Sequence, residues 1–140
     1  MSVSEYSKLM DFMMGSYGDD IMYKLEVGKA LSGESIYAYT IFQHQFAFKS
    51  AKAELAKRES ILLTGVHHAR ELTTISTVVF EMLALLYRYE AGDVFTMDLL
   101  ERAAVVCIPI VNVDGVNKID KLYRELGELH LVRKNDRQGS

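Results

Sequence analysis

The stretch from Ile61 to Val111 constrains the fold more than any other part of this chain. It opens on a short apolar run, Ile61-Leu62-Leu63-Thr64, which reads as a buried strand. Apolar residues then recur at Leu72, Ile75, Val79, Met82, Leu83, Leu86 and Tyr89, the spacing of a helix with one covered face. Gly92 breaks that helix, and Phe95 to Arg102 reads as a short second one. The stretch closes on Ala103 to Val111, nearly continuously apolar, which suits a strand covered on both faces. Strand, helix, strand in that order predicts a βαβ unit with a parallel pair and a right-handed crossover. Open α/β sheets bind ligands beyond the carboxyl ends of their strands. His68 follows one such end and Asn112-Val113-Asp114-Gly115 the other, so the two loops are expected at one crevice.

Upstream, Ser2-Val3-Ser4-Glu5 has the form of a capping box. Tyr6, Leu9, Met10 and Met13 fall on one face behind it, and Gly15 offers a stop, so a helix is predicted from Val3 to Met14. The alternation in Ile21 to Val27 suits a half-buried strand. Gly28 to Ser35 reads as a turn, and Ile36 to Phe42 as a second strand antiparallel to the first. Phe46 to Arg58 is rich in Ala and Lys but lacks apolar periodicity, which predicts a solvated excursion with some helix. The fold class is therefore α/β with a mixed sheet.

At 140 residues the chain suits one modest domain. A formal charge of −3, with no Lys/Arg cluster, argues against a dedicated nucleic-acid binder. The lone cysteine, Cys107, excludes an intrachain disulfide framework and reads as a core thiol within its apolar run. The N-terminus Met1-Ser2-Val3-Ser4-Glu5 has no basic start followed by an apolar core, so it is not a secretory signal. No apolar run approaches the roughly 20 residues that span a bilayer. The expectation is a protein soluble inside a cell, or one whose export signal lies upstream.

The chemistry is concentrated in Gly65-Val66-His67-His68-Ala69-Arg70-Glu71. His68 and Glu71 stand at i and i+3, a separation that places Cβ atoms roughly 5–6 Å apart on one helical turn. Zinc accepts imidazole and carboxylate together, and a metal so held with an open position is a hydrolytic centre. A bare His-x-x-Glu pair is more often a solvated helix start. The position of this one, directly behind a strand with Gly65 before it and Arg70 inside it, favours the functional reading.

The same segment resembles the His-Ala-Arg-Glu signature of zinc carboxypeptidases of the A/B type. Three further segments agree with that family in order. Gly28 to Tyr37 resembles its Gly-x-Ser-x-Glu-Gly-Arg-x-Ile-Tyr hairpin, Pro109 to Gly115 its Pro-x-x-Asn-Pro-Asp-Gly turn, and Leu131 to Asn135 its Trp-Arg-Lys-Asn segment. Val113, Val132 and Leu72 depart from the family at packing positions. The resemblance implies a partial three-layer α/β/α domain with a mixed sheet, carboxypeptidase-like (phosphorylase/hydrolase-like).

By that resemblance His68 and Glu71 are ligands of one Zn2+, and His67 is not. Arg70 lines the substrate cleft, and Arg133 binds substrate and stabilises the oxyanion. The implied substrate is the C-terminus of a peptide or protein. Asn112, Asp114 and Gly115 read as a turn with no catalytic duty, its Asx side chain bonding its own backbone. His44 reads as a surface side chain, and His130, near Arg133, only weakly as a metal neighbour.

The family's third zinc ligand, its glutamate base and its carboxylate clamp lie downstream of the Arg-Lys-Asn segment. The chain is therefore expected to be the N-terminal portion of such a domain, truncated at its C-terminus. Alone it is expected to bind zinc weakly, hydrolyse nothing, and expose a sheet edge that the missing C-terminal segment would partner. Two alternatives stay open: a non-catalytic binding or regulatory module on the same scaffold, and a zinc amidohydrolase acting on non-peptide amides.

Overall fold

A computed structural model describes residues 3–18, 20–43, 53 and 55–134. In chain order the elements are α1 (Val3–Tyr17), β1 (Met22–Lys29), β2 (Ser35–Ile41), β3 (Glu59–Thr64), α2 (Thr73–Glu90), α3 (Val94–Arg102), β4 (Ala103–Ile108) and α4 (Val113–Leu126). The strands form one mixed sheet in the order β1-β2-β4-β3. The β1–β2 hairpin is antiparallel, β2 pairs antiparallel with β4, and β3 pairs parallel with β4. The parallel strand–helix–strand unit predicted across Ile61 to Val111 is therefore present. Its returning strand inserts between the hairpin and β3.

Register decides which side chains meet. Ile61 lies opposite Val105 and Leu63 opposite Cys107, while Ile41 and Tyr39 face the same two β4 residues from the other side. Because side chains alternate along a strand, these positions share one face. Against it pack Met10 and Met13 of α1 and Ile75, Val78, Val79, Met82 and Leu86 of α2, in the main core cluster. The opposite face carries a smaller cluster of Tyr23, Phe42 and Ala104, with Leu55 packed on it. The Tyr23 and Phe42 rings stand 4.8 Å apart, and the Arg58 guanidinium lies 5.0 Å from the Phe42 ring centre. Arg58 also donates to the Gln43 carbonyl at 2.9 Å, fixing the approach of the chain to β3.

Several expectations need correction. Helix α1 runs past Gly15, where a Cβ would meet nothing, and ends at Gly18, where a Cβ would collide with the Met14 carbonyl. Strand β3 is not a buried strand. Among the described residues it pairs with β4 alone, and Ile61 and Leu62 are 46% and 61% exposed. Strand β4 ends at Ile108 rather than Val111, because Pro109 has no N–H for the ladder. The turn read at Asn112 to Gly115 is instead the first turn of α4. Val116, Ile119, Tyr123 and Leu126 carry helical spacing that would have revealed that helix. Most of the excursion read from Phe46 to Arg58, with His44 and Asn135, lies outside the described residues. Among the described residues no helix is long and apolar enough to cross a membrane.

Candidate metal centre beyond strand β3

The loop between β3 and α2 starts at a position that only glycine fits. A Cβ on Gly65 would stand 2.5 Å from the Pro109 carbonyl oxygen and 3.2 Å from that of Thr74. The close approach lets Gly65 N–H donate to the Ile108 carbonyl at 2.9 Å and Val111 N–H donate to the Gly65 carbonyl at 3.1 Å. The loop is thus sewn to the segment leaving β4, as the predicted shared crevice requires. Val66 follows, buried, at φ +49°, a region that β-branched residues rarely adopt. Its N–H donates to the Thr74 hydroxyl at 2.8 Å, and its carbonyl accepts from Asn112 N–H at 3.0 Å.

Two residues downstream the candidate ligands meet. His68 Nδ1 lies 2.9 Å from Glu71 Oε1, and both side chains are about two-fifths exposed, at 42%. An ionised carboxylate only accepts, so Nδ1–H is the donor. That bond is the main reason the Glu71 carboxyl sits below the usual glutamate range; desolvation opposes it, and the His68 charge and Arg70 add to it. A tetrahedral zinc site takes imidazole nitrogen and carboxylate oxygen as donors, so His68 and Glu71 would be the residues to hold the ion. The donor types and their convergence fit two corners of such a site. No group of three or more metal-binding side chains forms among the described residues.

The remaining residues singled out from sequence distribute as follows. His67 is exposed, with Nε2 2.8 Å from the Thr64 hydroxyl, so its ring is engaged away from the pair. Arg70 is exposed beside Glu71. Arg133 reaches the loop through its main chain, where its carbonyl accepts from Ala69 N–H at 3.4 Å. His130 stands 4.0 Å from Glu128 and joins no cluster. Surface grooves lie around Glu34, Asp114 and Asn117 and beside Tyr6 and Ile110.

Three structural roles escaped the sequence. Asn112 is buried: its Oδ1 accepts from Gly115 N–H at 3.0 Å, and its Nδ2 donates to the His67 carbonyl at 3.4 Å. The expected Asx bond exists, but it caps a helix, and the Nδ2 bond holds the histidine loop. Thr74 ties the two ends of that loop. The hairpin turn docks on α4, with Ser32 donating to Asp114 and Asn117 Nδ2 donating to Glu34 at 2.7 Å. Two family-like segments thus touch each other across the fold.

An open mixed sheet with a histidine–glutamate loop beyond a strand end defines an α/β protein whose chemistry belongs at its strand ends. The chain belongs to the zinc carboxypeptidase family, whose profile matches residues 6–139. It is 29% identical over 104 residues to the inactive metallocarboxypeptidase ECM14 of Uncinocarpus reesii, a match covering 72% of this chain and 17% of that protein. Its backbone is similar to that of thrombin activatable fibrinolysis inhibitor, with a TM-score of 0.72 at 18% identity, covering 99% of this chain and 30% of the other. It also resembles the carboxypeptidase A of Helicoverpa armigera, with a TM-score of 0.63 at 19% identity, covering 99% and 29%. The chain thus spans about a third or less of these relatives.

Proposed function

We propose that this chain is part of a zinc-dependent metallocarboxypeptidase that hydrolyses C-terminal amino acids from peptides or proteins, with His68 and Glu71 as two of its metal ligands. The observation that carries the reading is the 2.9 Å approach of His68 Nδ1 to Glu71 Oε1, on a loop at the end of an outer strand. Zinc, when bound, polarises a scissile carbonyl and activates water. The chain's own residues prepare that chemistry. Glu71, a carboxylate at neutral pH whose ionised form the His68 hydrogen bond favours further, presents a charged oxygen. His68 would hold the ion together with Glu71 through its imidazole. Arg70 supplies fixed positive charge beside the pair for the substrate. Arg133, whose main chain borders Ala69, supplies a guanidinium for the developing oxyanion.

The described residues supply two of the three ligands that a catalytic zinc takes. The 140-residue chain is therefore expected to bind zinc weakly and release no amino acid. The test is zinc competition against a chromophoric chelator for wild type, His68→Ala and Glu71→Gln, run beside an assay on peptides with free and blocked C-termini. Uptake that weakens in both variants supports the ligand assignment, and uptake indifferent to both removes it.

A second reading is favoured by the name of one relative, an inactive metallocarboxypeptidase. On that reading the scaffold serves as a non-catalytic binding or regulatory module. Zinc-dependent release of free amino acid would exclude it. Retention of a peptide with no zinc taken up would favour it.

A further inference from the structure

We propose that Thr74 is the positioning residue of the candidate metal centre, its hydroxyl holding His68 and Glu71 in the geometry that admits an ion. The inference rests on the reading of those two residues as ligands. One hydroxyl joins both ends of the loop: Thr74 Oγ1 accepts from Val66 N–H at 2.8 Å and donates to the Glu71 carbonyl at 2.7 Å. The Thr74 N–H donates to the same carbonyl at 3.0 Å, so the end of the loop is gripped twice. His68 lies between those anchors, on a loop also held by Asn112 at the His67 carbonyl and by Arg133 at Ala69.

A threonine in the first turn of a helix commonly bonds a carbonyl nearby, and the bond to Glu71 alone would be that ordinary case. The bond from Val66, eight residues back, is not. It restrains a buried β-branched residue at φ +49°, a conformation that persists only where its surroundings impose it. Asn112 N–H holds the Val66 carbonyl from the other side. Val66 is therefore clamped between α2 and the start of α4, and its unusual φ sets the direction in which the chain enters the two histidines. A hydroxyl can accept at one end and donate at the other, which the isosteric valine cannot.

The test compares Thr74→Val, which keeps shape and loses the hydroxyl, with Thr74→Ser, which keeps the hydroxyl. Two measurements are made on each folded chain. The first is hydrogen exchange of the Val66 amide without metal. The second is zinc affinity by chelator competition, with the visible absorption of bound cobalt as a report on ligand geometry. Thr74→Val is expected to lose Val66 protection, weaken zinc about tenfold and alter the cobalt bands, as removal of outer partners does at metal sites. Thr74→Ser is expected to restore all three.

If Thr74→Val does not fold, Thr74→Ala makes the same comparison without a branched methyl beside the Val66 amide. Wild-type protection and affinity in the hydroxyl-free variant, or no recovery in Thr74→Ser, overturn the proposal. If wild type takes up no zinc, the ligand reading falls instead. The exchange comparison, which needs no metal, then still decides whether Thr74 holds the loop.

Discussion

Gly115 lies so close to Ala69 that a Cβ on it would stand 2.6 Å from the Ala69 Cβ, and 2.8 Å from Asn112 Oδ1. This contact seats the first turn of α4 against the candidate ligand loop. Alanine in a helix is favoured over glycine by about 1 kcal/mol, but overpacking at such a distance costs about 1–3 kcal/mol. Gly115→Ala is therefore expected to destabilise the chain by up to about 2 kcal/mol net, read from urea unfolding midpoints at constant slope. An unchanged or raised midpoint would show that the two segments can part freely.

The adjacent histidines should separate cleanly. His67 is engaged with Thr64, whereas His68 faces Glu71. His67→Ala is expected to leave zinc affinity within about twofold, while His68→Ala weakens it by more than the roughly tenfold seen for outer partners. Chelator competition on both variants checks this, and equal losses would contradict the assignment.

Asp93 caps α3, accepting from Thr96 N–H at 2.8 Å and from its hydroxyl at 2.7 Å. These bonds hold its carboxyl below the usual aspartate range. A depressed folded value means that the stabilisation is complete above the ordinary range and is lost as pH falls through the lowered value. Asp93→Ala is expected to melt below wild type at pH 7, with the gap closing in acid. A gap that stays constant down to strongly acidic pH would refute the cap's ionised role.

Cys107 is buried in β4, and desolvation, with Glu81 adding, pushes its thiol up to about 12. Thiolates, not thiols, react with disulfide reagents. The native chain is expected to give no reaction at pH 8 in the time that the urea-unfolded chain reacts completely. Prompt native labelling would show that β4 opens readily.

Strand β3 leaves Ile61 and Leu62 exposed on an outer strand, with Phe80 and Tyr87 of α2 also exposed, at 66% and 72%. Unpaired edges with apolar side chains invite intermolecular pairing, and a lysine discourages it. Leu62→Lys is expected to raise the concentration at which the chain remains monomeric, without lowering its melting temperature. Light scattering across a concentration series checks this, and unchanged association would place the contact elsewhere.

Much of this architecture was legible along the chain. The helical spacing from Leu72 to Tyr89 located α2, the alternation of Ile21 to Val27 located β1, and the β-branched and aromatic run of Ile36 to Phe42 located β2. Those patterns are local, because a covered helix face or strand face repeats every few residues. The candidate pair was also local, since His68 and Glu71 stand three positions apart. The exposure of β3 was not, because an apolar run does not say whether a second strand lies beside it. Nor was the helical character of residues 113–126 seen, since the Asn112–Gly115 bond serves a turn and a helix cap equally.

By itself the sequence determined the elements from α1 to β4, their order and the parallel strand–helix–strand unit, and it singled out His68 and Glu71 as candidate donors to a metal. Only the tertiary structure decided what holds those donors in place: Val66 at positive φ against Thr74, Asn112 bonded to a carbonyl 45 positions away, and Ser32 on Asp114 across 82 positions. The physical reason is range. Periodicity records how each segment meets its own covered face, whereas a hydrogen bond between distant segments exists only after the sheet order has brought them together.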